Sequence, residues 1–278
     1  MALLTWNVNG LDTNFDARFR VILKDIKEKI FHCQGMLRPE PSCILLQEMN
    51  ETGLTQLLQD RWIREHYVVV PTKKEQWPRP DIGNVTLVSR TVPVLRAFSL
   101  EFYHHPCHPE ISPMWRHALV VDVRLGVKSP ARPHDGADER TLRIVNVHLE
   151  SLVPGATYRP YQLQYASLLL QEANVHAGII AGDMNFLVPM DWALPAWQGL
   201  ADAWRGPEDG RGNTWGYQPP PPRETNIPPG RLDRVLYRAN GKCAVDEPYR
   251  VGVGLKTNAG QWASDHFGLF SPGVRLLP

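Results

Sequence analysis

The stretch Ala177-Gly178-Ile179-Ile180-Ala181-Gly182-Asp183-Met184-Asn185 reads as a buried strand that stops on polar residues. A short apolar run without polar alternation fits a strand covered on both faces. The Gly-Asp-x-Asn that ends it can turn Asp183 and Asn185 to one side. There a carboxylate can take a proton from water while an amide holds that water or a phosphate oxygen. The same residues also suit an Asx-turn that does no more than terminate the strand.

Four other apolar runs stop or start in the same way. Asn7 and Asn9 stand at the end of the run 3–8, and Gln47-Glu48 ends the run that begins at Cys43. His148, Glu150 and Ser151 end the run 144–149, and Asp265-His266 precedes the run 267–270. In α/β architectures sites form outside strand ends, where loops enclose a ligand. Five such ends are more informative together than any one alone.

The remaining pattern places these ends in a fold. Phe15, Phe19, Ile22, Leu23, Ile26 and Ile30 recur at helical spacing, predicting a helix over 15–30 with Asn14 as its cap. A second helix is predicted over 161–175. Strands are predicted over 67–70, 84–89, 94–98, 117–124, 142–149, 177–181 and 232–237. Several strand pairs lack a helix between them. That suggests mixed sheets, two of them packed face to face with helices outside.

Composition bounds the partners. The chain has 278 residues, a length that suits one α/β domain as well as two. Thirty basic and 29 acidic residues give a net charge of +1, which excludes a polybasic arm or an acidic tail. An anionic partner must therefore be met by a local patch or a metal. Proline, at 25 residues, is about twice its usual share and marks irregular loops at 71–80, 219–222 and 228–229. Four irregularly spaced cysteines without a CxxC pair suggest a reducing intracellular compartment, nuclear or cytoplasmic. No apolar run approaches a membrane span. The first residues lack a charged n-region and a long apolar core, so no secretory signal is expected.

Each candidate has two readings. Glu48, after Ile44-Leu45-Leu46, needs either a distant arginine or a hard cation such as Mg²⁺. His266 can donate to a phosphoryl oxygen if a carboxylate orients its other nitrogen. Asp233, in Arg231-Leu232-Asp233-Arg234, is the candidate for that carboxylate, or else the partner of those arginines. His148 is a phosphate donor near Asp183 or a satisfied strand-end histidine. His104, His105, Cys107 and His108 crowd together, but their spacing matches no zinc finger and they read as a proline-stiffened loop.

Together Thr5-Trp6-Asn7, Leu46-Gln47-Glu48, His148-Leu149-Glu150-Ser151, Gly182-Asp183-Met184-Asn185, Leu232-Asp233-Arg234 and Ser264-Asp265-His266 resemble the endonuclease/exonuclease/phosphatase superfamily of Mg²⁺-dependent phosphodiesterases. They stand in that superfamily's order across nearly the whole chain. Asn213-Thr214-Trp215 and the His-Leu-Glu-Ser element are similar to its tyrosyl-DNA phosphodiesterase branch. That branch removes tyrosine left on DNA 5′ ends by an abortive topoisomerase 2 reaction.

The resemblance implies a four-layer α/β sandwich spanning residues 1–278 as one catalytic domain, acting as a monomer in DNA repair. It implies Mg²⁺, with Mn²⁺ as a substitute, on Glu48 with Asp265 nearby. Asn7, His148, Asp183, Asn185, Asp233 and His266 would be catalytic. Asn9, Ser151, Thr214 and Trp215 would line the DNA path, Trp215 by stacking unless it packs in the core. Three departures stand out. Asn9 replaces an Asp, which argues against a second metal. Leu187 replaces an Arg, and no Tyr lies near Gly83-Asn84. An abasic-site endonuclease, a deadenylase, a lipid-phosphate hydrolase and an inactive binding module remain the alternatives.

Overall fold

A computed structural model describes residues 1–102, 112–127, 138–220 and 227–278. In chain order the first half holds β1 (Ala2–Asn7), α1 (Phe15–Asp25), β2 (Ser42–Met49), α2 (Glu51–Gln59), α3 (Arg61–His66), β3 (Tyr67–Val70), β4 (Gly83–Ser89), β5 (Val94–Glu101) and β6 (His117–Val127). It continues with β7 (Asp138–His148), α4 (Arg159–Leu169), β8 (Ala177–Asp183), α5 (Leu194–Trp197), β9 (Leu200–Asp202), β10 (Asp233–Arg238), β11 (Cys243–Val245), β12 (Tyr249–Val251), β13 (Gly268–Ser271) and β14 (Val274–Leu276).

Two six-stranded sheets result, ordered β12-β13-β1-β2-β4-β3 and β5-β6-β7-β8-β10-β9, while β11 and β14 pair separately. Each large sheet has one parallel pair near its middle, β1 with β2 and β7 with β8. The neighbours of these pairs are antiparallel. The mainly apolar runs have a direct cause: both faces of the central strands are buried. Leu3, Cys43 and Leu45 face Ile144, Ile179 and Ala181 between the sheets. Leu4, Trp6, Ile44 and Leu46 pack outward against Phe19 and Ile22 of α1, Leu57 of α2 and Trp62 of α3. Val145, Val147 and Ile180 pack outward against Leu163 of α4 and Leu194 of α5. The layers are therefore helix, sheet, sheet, helix, the mixed two-sheet sandwich read from the sequence.

Local details depart from that reading. The helix over 15–30 is α-helical only to Asp25 and widens into a π-helical turn over Ile26–Ile30. Asn14 stands at the cap position, but its side chain makes no capping hydrogen bond. Its backbone is left-handed at φ 53°, and its side chain donates to Gln261 instead. The second helix runs over Arg159–Leu169, starting two residues early where Pro160 suits a first turn. It ends six residues early in a tightened turn closed by Leu170 N–H on Ser167 O. The helices α2 and α3 and the short strands β9, β11, β12 and β14 had no counterpart in the sequence reading. The histidine-rich stretch 104–108 lies outside the described residues, as do Pro221 and Pro222. Cys33, Cys43 and Cys243 are free and buried. Among the described residues no helix is long and apolar enough to cross a membrane.

A polar seam locks the sheets together directly beneath the strand ends. Gln47 Nε2 donates to Thr5 Oγ1 at 3.0 Å and to Asn146 Oδ1 of the other sheet at 2.8 Å. Asn146 Nδ2 in turn faces Leu46 O, Val85 O and Thr86 Oγ1 at 3.0–3.3 Å. Such a network sets the register of one sheet on the other, which hydrophobic contact alone does not. Asn146→Ala is expected to cost about 2–4 kcal/mol, since it strands several buried partners at once. Urea denaturation is the check, and a loss under about 0.5 kcal/mol would contradict that role.

Candidate active site

Backbone geometry delivers the polar residues to one end of the sandwich. Parallel pairing puts Asn7 beside Gln47 and His148 beside Asp183, while antiparallel pairing puts Asp233 opposite Asp183. The pairing of β2 with β4 slips between Leu46 and Met49, and Glu48 takes a left-handed backbone at φ 56°. A carboxylate residue held there is strained, as residues at functional sites often are. Gly10 makes the conformation possible. A Cβ at Gly10 would stand 1.8 Å from the Glu48 carbonyl oxygen.

Asp183 Oδ2 is the common vertex. Asn7 Nδ2 donates to it at 3.0 Å and reaches Glu48 Oε1 at 3.3 Å, so one amide holds both carboxylates. Asn7 Oδ1 is fixed in turn by the Asn9 N–H at 3.0 Å. His148 Nε2 lies 3.5 Å and His266 Nε2 3.7 Å from the same Asp183 oxygen. Those distances exceed a hydrogen bond and suit groups that meet through a shared bound atom. Asn185 donates its N–H to Asp183 Oδ1 at 2.9 Å, and its side-chain amide is spent on Leu149 O at 3.2 Å. The Gly-Asp-x-Asn segment is thus an Asx-turn and part of the polar cluster at once. One N–H of the Asn185 amide is committed to the backbone, and the amide keeps a second N–H and its oxygen for other partners.

The two histidines are held in opposite ways. His266 Nδ1 meets Asp233 Oδ2 at 2.7 Å. Burial works against its charge, but Asp233, Asp265 and Asp183 together hold its pKa well above the usual value, so it is an imidazolium. His148 Nδ1 meets Arg116 Nη1 at 2.9 Å. A guanidinium has only donors, so Nδ1 must accept and the proton sits on Nε2, facing Asp183. Burial, then Arg116, keeps the His148 pKa well below the usual value. The site therefore carries one charged and one neutral N–H donor.

Arg116 was not singled out in the sequence, and neither was Arg18. Arg116 is buried and donates to Ser151 Oγ at 2.6 Å. Glu150 supports the same segment by accepting from Ser112 Oγ and Met114 N–H at 2.8 and 2.9 Å. Arg18 gathers the carbonyls of Val8, Asn9, Asp12, Thr13 and Ala263, which fixes the loop after β1. Asp233 is paired to His266, while Arg231 and Arg234 both turn to Asp202. Of the residues expected along a DNA path, Thr214 is fully buried. Its hydroxyl accepts the Asp233 N–H at 3.1 Å, so it supports the cluster instead of facing solvent. Trp215 is half-buried and donates Nε1–H to Asp265 Oδ2 at 3.2 Å.

The donor set suits a divalent cation. Four carboxylates converge: Glu48, Asp183, Asp233 and Asp265. Only Asp233 has a cation at hydrogen-bonding distance, and among the described residues no Lys or Arg lies within 4.0 Å of the other three. Burial raises the pKa of Glu48, and burial with Asp233 raises that of Asp183 to about 6, although His266 opposes it. Ligand atoms of Asp183, Asp233 and His266 lie within 4.8 Å of one another, a cluster that does not include Glu48 or Asp265. His266 pairs there with Asp233 Oδ2, while Asp233 Oδ1 is buried without a hydrogen-bond partner. Glu48 and Asp265 are half-buried, so their carboxylates could be met by a hydrated hard cation at the mouth.

The sequence profile of the Endonuclease/Exonuclease/phosphatase family matches residues 4–266. No curated protein matches the sequence. Among solved structures, D. rerio TDP2 humanized by 14 mutations superposes with a TM-score of 0.71 at 22% identity, covering 98% of this chain and 97% of that one. D. rerio TDP2 complexed with single strand DNA product gives 0.69 at 21%, with the same coverage. Truncated Caenorhabditis elegans TDP2 gives 0.69 at 17%, covering 100% of this chain and 97% of that one. At these identities the likeness is one of fold.

Proposed function

The chain belongs to the endonuclease/exonuclease/phosphatase family, and from that premise we propose that it hydrolyses the bond between a DNA 5′-phosphate and a tyrosine left by a topoisomerase 2. In this it would resemble tyrosyl-DNA phosphodiesterase 2. The observation that carries the reading is the vertex at Asp183 Oδ2, where Asn7, His148 and His266 converge beside Glu48.

In the proposed reaction water attacks phosphorus in line, the phosphorus–phenolic oxygen bond breaks, and tyrosine leaves with a 5′-phosphate retained on DNA. A phenol has a pKa of only about 10, so the demand is for charge stabilisation and water alignment more than for a strong general acid. Asp183 accepts the water proton, and Asn7 keeps that carboxylate aimed. His266, charged and held by Asp233, donates Nε2–H to a non-bridging oxygen as negative charge builds there. His148 donates its own Nε2–H and adds no charge of its own. Glu48, with Asp265 beside it, would hold the Mg²⁺, which when bound stabilises phosphoryl charge as a Lewis acid. Nuclear DNA repair as the setting belongs to the same proposal.

The test is turnover of a 5′-phosphotyrosyl oligonucleotide with and without Mg²⁺, beside an abasic duplex, a poly(A) RNA and an inositol phosphate. Preference for the first substrate is expected. Preference for any other assigns the chain to a different activity within the family, and no turnover of any substrate would mark an inactive scaffold. Glu48→Gln is expected to raise the Mg²⁺ needed for half-maximal rate by roughly ten- to a hundredfold. An unchanged Mg²⁺ requirement would remove Glu48 from the donor set.

A further inference from the structure

The two helical layers differ in the charge they show to solvent. Outside the first sheet, α1 and the π-helical turn after it expose Asp16, Arg20, Lys24, Glu28 and Lys29. Outside the second sheet, residues 152–171 contain a single charged residue, Arg159, and residues 186–201 a single one, Asp191. These two are buried and pair with each other at 2.8 Å. The exposed surface of both segments therefore carries no charge.

The segments lie side by side. A 3₁₀ turn over Pro189–Ala193 leads into α5. The Arg159–Asp191 pair ties that turn to the start of α4, and Ser167 Oγ donates to Gln198 Oε1 at 3.3 Å near the other end of both helices. Tyr161 and Leu168, two turns apart, share the exposed face of α4. Met190, Trp192 and Trp197 on the neighbouring segment are 71%, 63% and 65% exposed. The two tryptophans alone leave roughly 300 Å² in water. With Met190, Leu168 and Tyr161 the apolar surface reaches roughly 600 Å², as much as the largest patch of a typical monomer.

The missing charge selects the occupant. Helices that lie on lipid surround their apolar face with Lys and Arg, and these segments expose neither. A chain that stays single in solution intersperses charge on its surface, and like charges that meet oppose self-pairing. This face has no such opposition, and a net charge of +1 adds almost no repulsion between whole copies. Aromatic residues and Met without charge are also the composition of an interface core. Two such faces in contact would bury about 1,200 Å² in total, the lower limit for a specific pair.

We propose that this face pairs with the same face of a second copy, forming a two-fold dimer held by Trp192 and Trp197. The dimer departs from the monomer that the family resemblance implies, and it does not depend on which phosphodiester the site cleaves. Leu168 and Trp197 probe it cleanly. They lie toward the end of the helices away from Arg159, whose Nη1 donates to Glu150 O at 2.9 Å beside the site.

Sedimentation velocity of the full chain over a concentration series tests the pairing. The wild type is expected to dimerise with a dissociation constant of about a micromolar. Trp197→Glu and Leu168→Glu should each weaken it by about a hundredfold, since each sets a charge into the apolar contact. Arg61→Glu, on α3 in the other helical layer, should leave it unchanged. The wild-type melting temperature should rise with concentration, and that of Trp197→Glu should stay at the value of the dilute wild type. A wild type still monomeric at about 100 µM, or a dimer that both glutamates leave intact, overturns the proposal. So does a monomer that sediments with phosphatidylcholine vesicles, which would assign the face to lipid.

Discussion

Replacing Asp183 with asparagine is expected to lower kcat/KM by a thousandfold or more and, at the same time, to stabilise the metal-free protein. The rate effect follows from the vertex. Asn7, His148 and His266 are aimed at an oxygen that could no longer accept a proton. The stability effect follows from burial, which raises the Asp183 pKa to about 6 with help from Asp233 and against His266. An unfolded Asp releases its proton near pH 4, about two units lower. Between those values the folded chain binds more protons than the unfolded chain, so its stability falls as pH rises. At pH 7 the buried charge costs about 3 kcal/mol on that shift alone. The Asn amide would also place a donor against Asn7 Nδ2, so a net gain of about 1–2 kcal/mol is expected. Melting in chelator should show the variant several degrees more stable at pH 7.5 and level with the wild type near pH 4.5. Turnover within tenfold of the wild type would remove Asp183 from the chemistry. A variant less stable at pH 7.5 would refute the cost of its charge. Activity of the wild type should rise with pH through about 6, and saturating Mg²⁺ should move that limb lower.

The stability cost also explains why the site was readable. Evolution tolerates several buried carboxylates at strand ends when function requires them, and an apolar run ending in Asp or Glu shows in the sequence. Asp183 and Glu48 stood out on that ground. The layer order was readable because the central strands are buried on both faces, which writes mainly apolar runs into β1, β2, β7 and β8, interrupted by a few buried polar residues such as Thr5 and Asn146. Short edge strands such as β9 and β12 are only three residues long and carry no such signature. The π-helical turn after Asp25 was hidden because Ile26 and Ile30 keep helical spacing through it. Thr214 was expected on the DNA path from the family resemblance, which gives the type of a side chain and not its direction. The structure turns it inward under Asp233.

Arg116 was illegible for a deeper reason. Ser112-Pro113-Met114-Trp115-Arg116 contains no periodicity and no motif, and nothing local separates this arginine from the chain's other basic residues. Its role exists only after β6 and β7 pair, when a residue preceding one strand meets a histidine ending the other. Side chains that act through long-range register are the ones a sequence conceals.

That register makes the second large prediction. Arg116→Met is expected to lower kcat by about a hundredfold or more, with a smaller change in KM, as for other losses of an imidazole's enforced tautomer. With the guanidinium gone, the His148 proton is free to move to Nδ1, which turns a lone pair on Nε2 toward Asp183 Oδ2, 3.5 Å away. The ring then either repels the carboxylate or takes up a second proton; in both cases the neutral Nε2–H donor is lost. Arg116→Lys can donate to Nδ1 but cannot also reach Ser151 Oγ, so it should recover part of the rate, and Arg116→Gln less. A merely structural role would give no such ranking. Nitrogen NMR of the His148 ring supplies the direct readout. The wild type should show a protonated Nε2 and a bare Nδ1 through the neutral range, and Arg116→Met should show the other tautomer or the imidazolium. An Arg116→Met enzyme with an unaltered ring spectrum and near-normal kcat would show that the tautomer is set elsewhere. His266 offers the internal control, because its Nδ1 partner is Asp233 and its spectrum should not respond to Arg116.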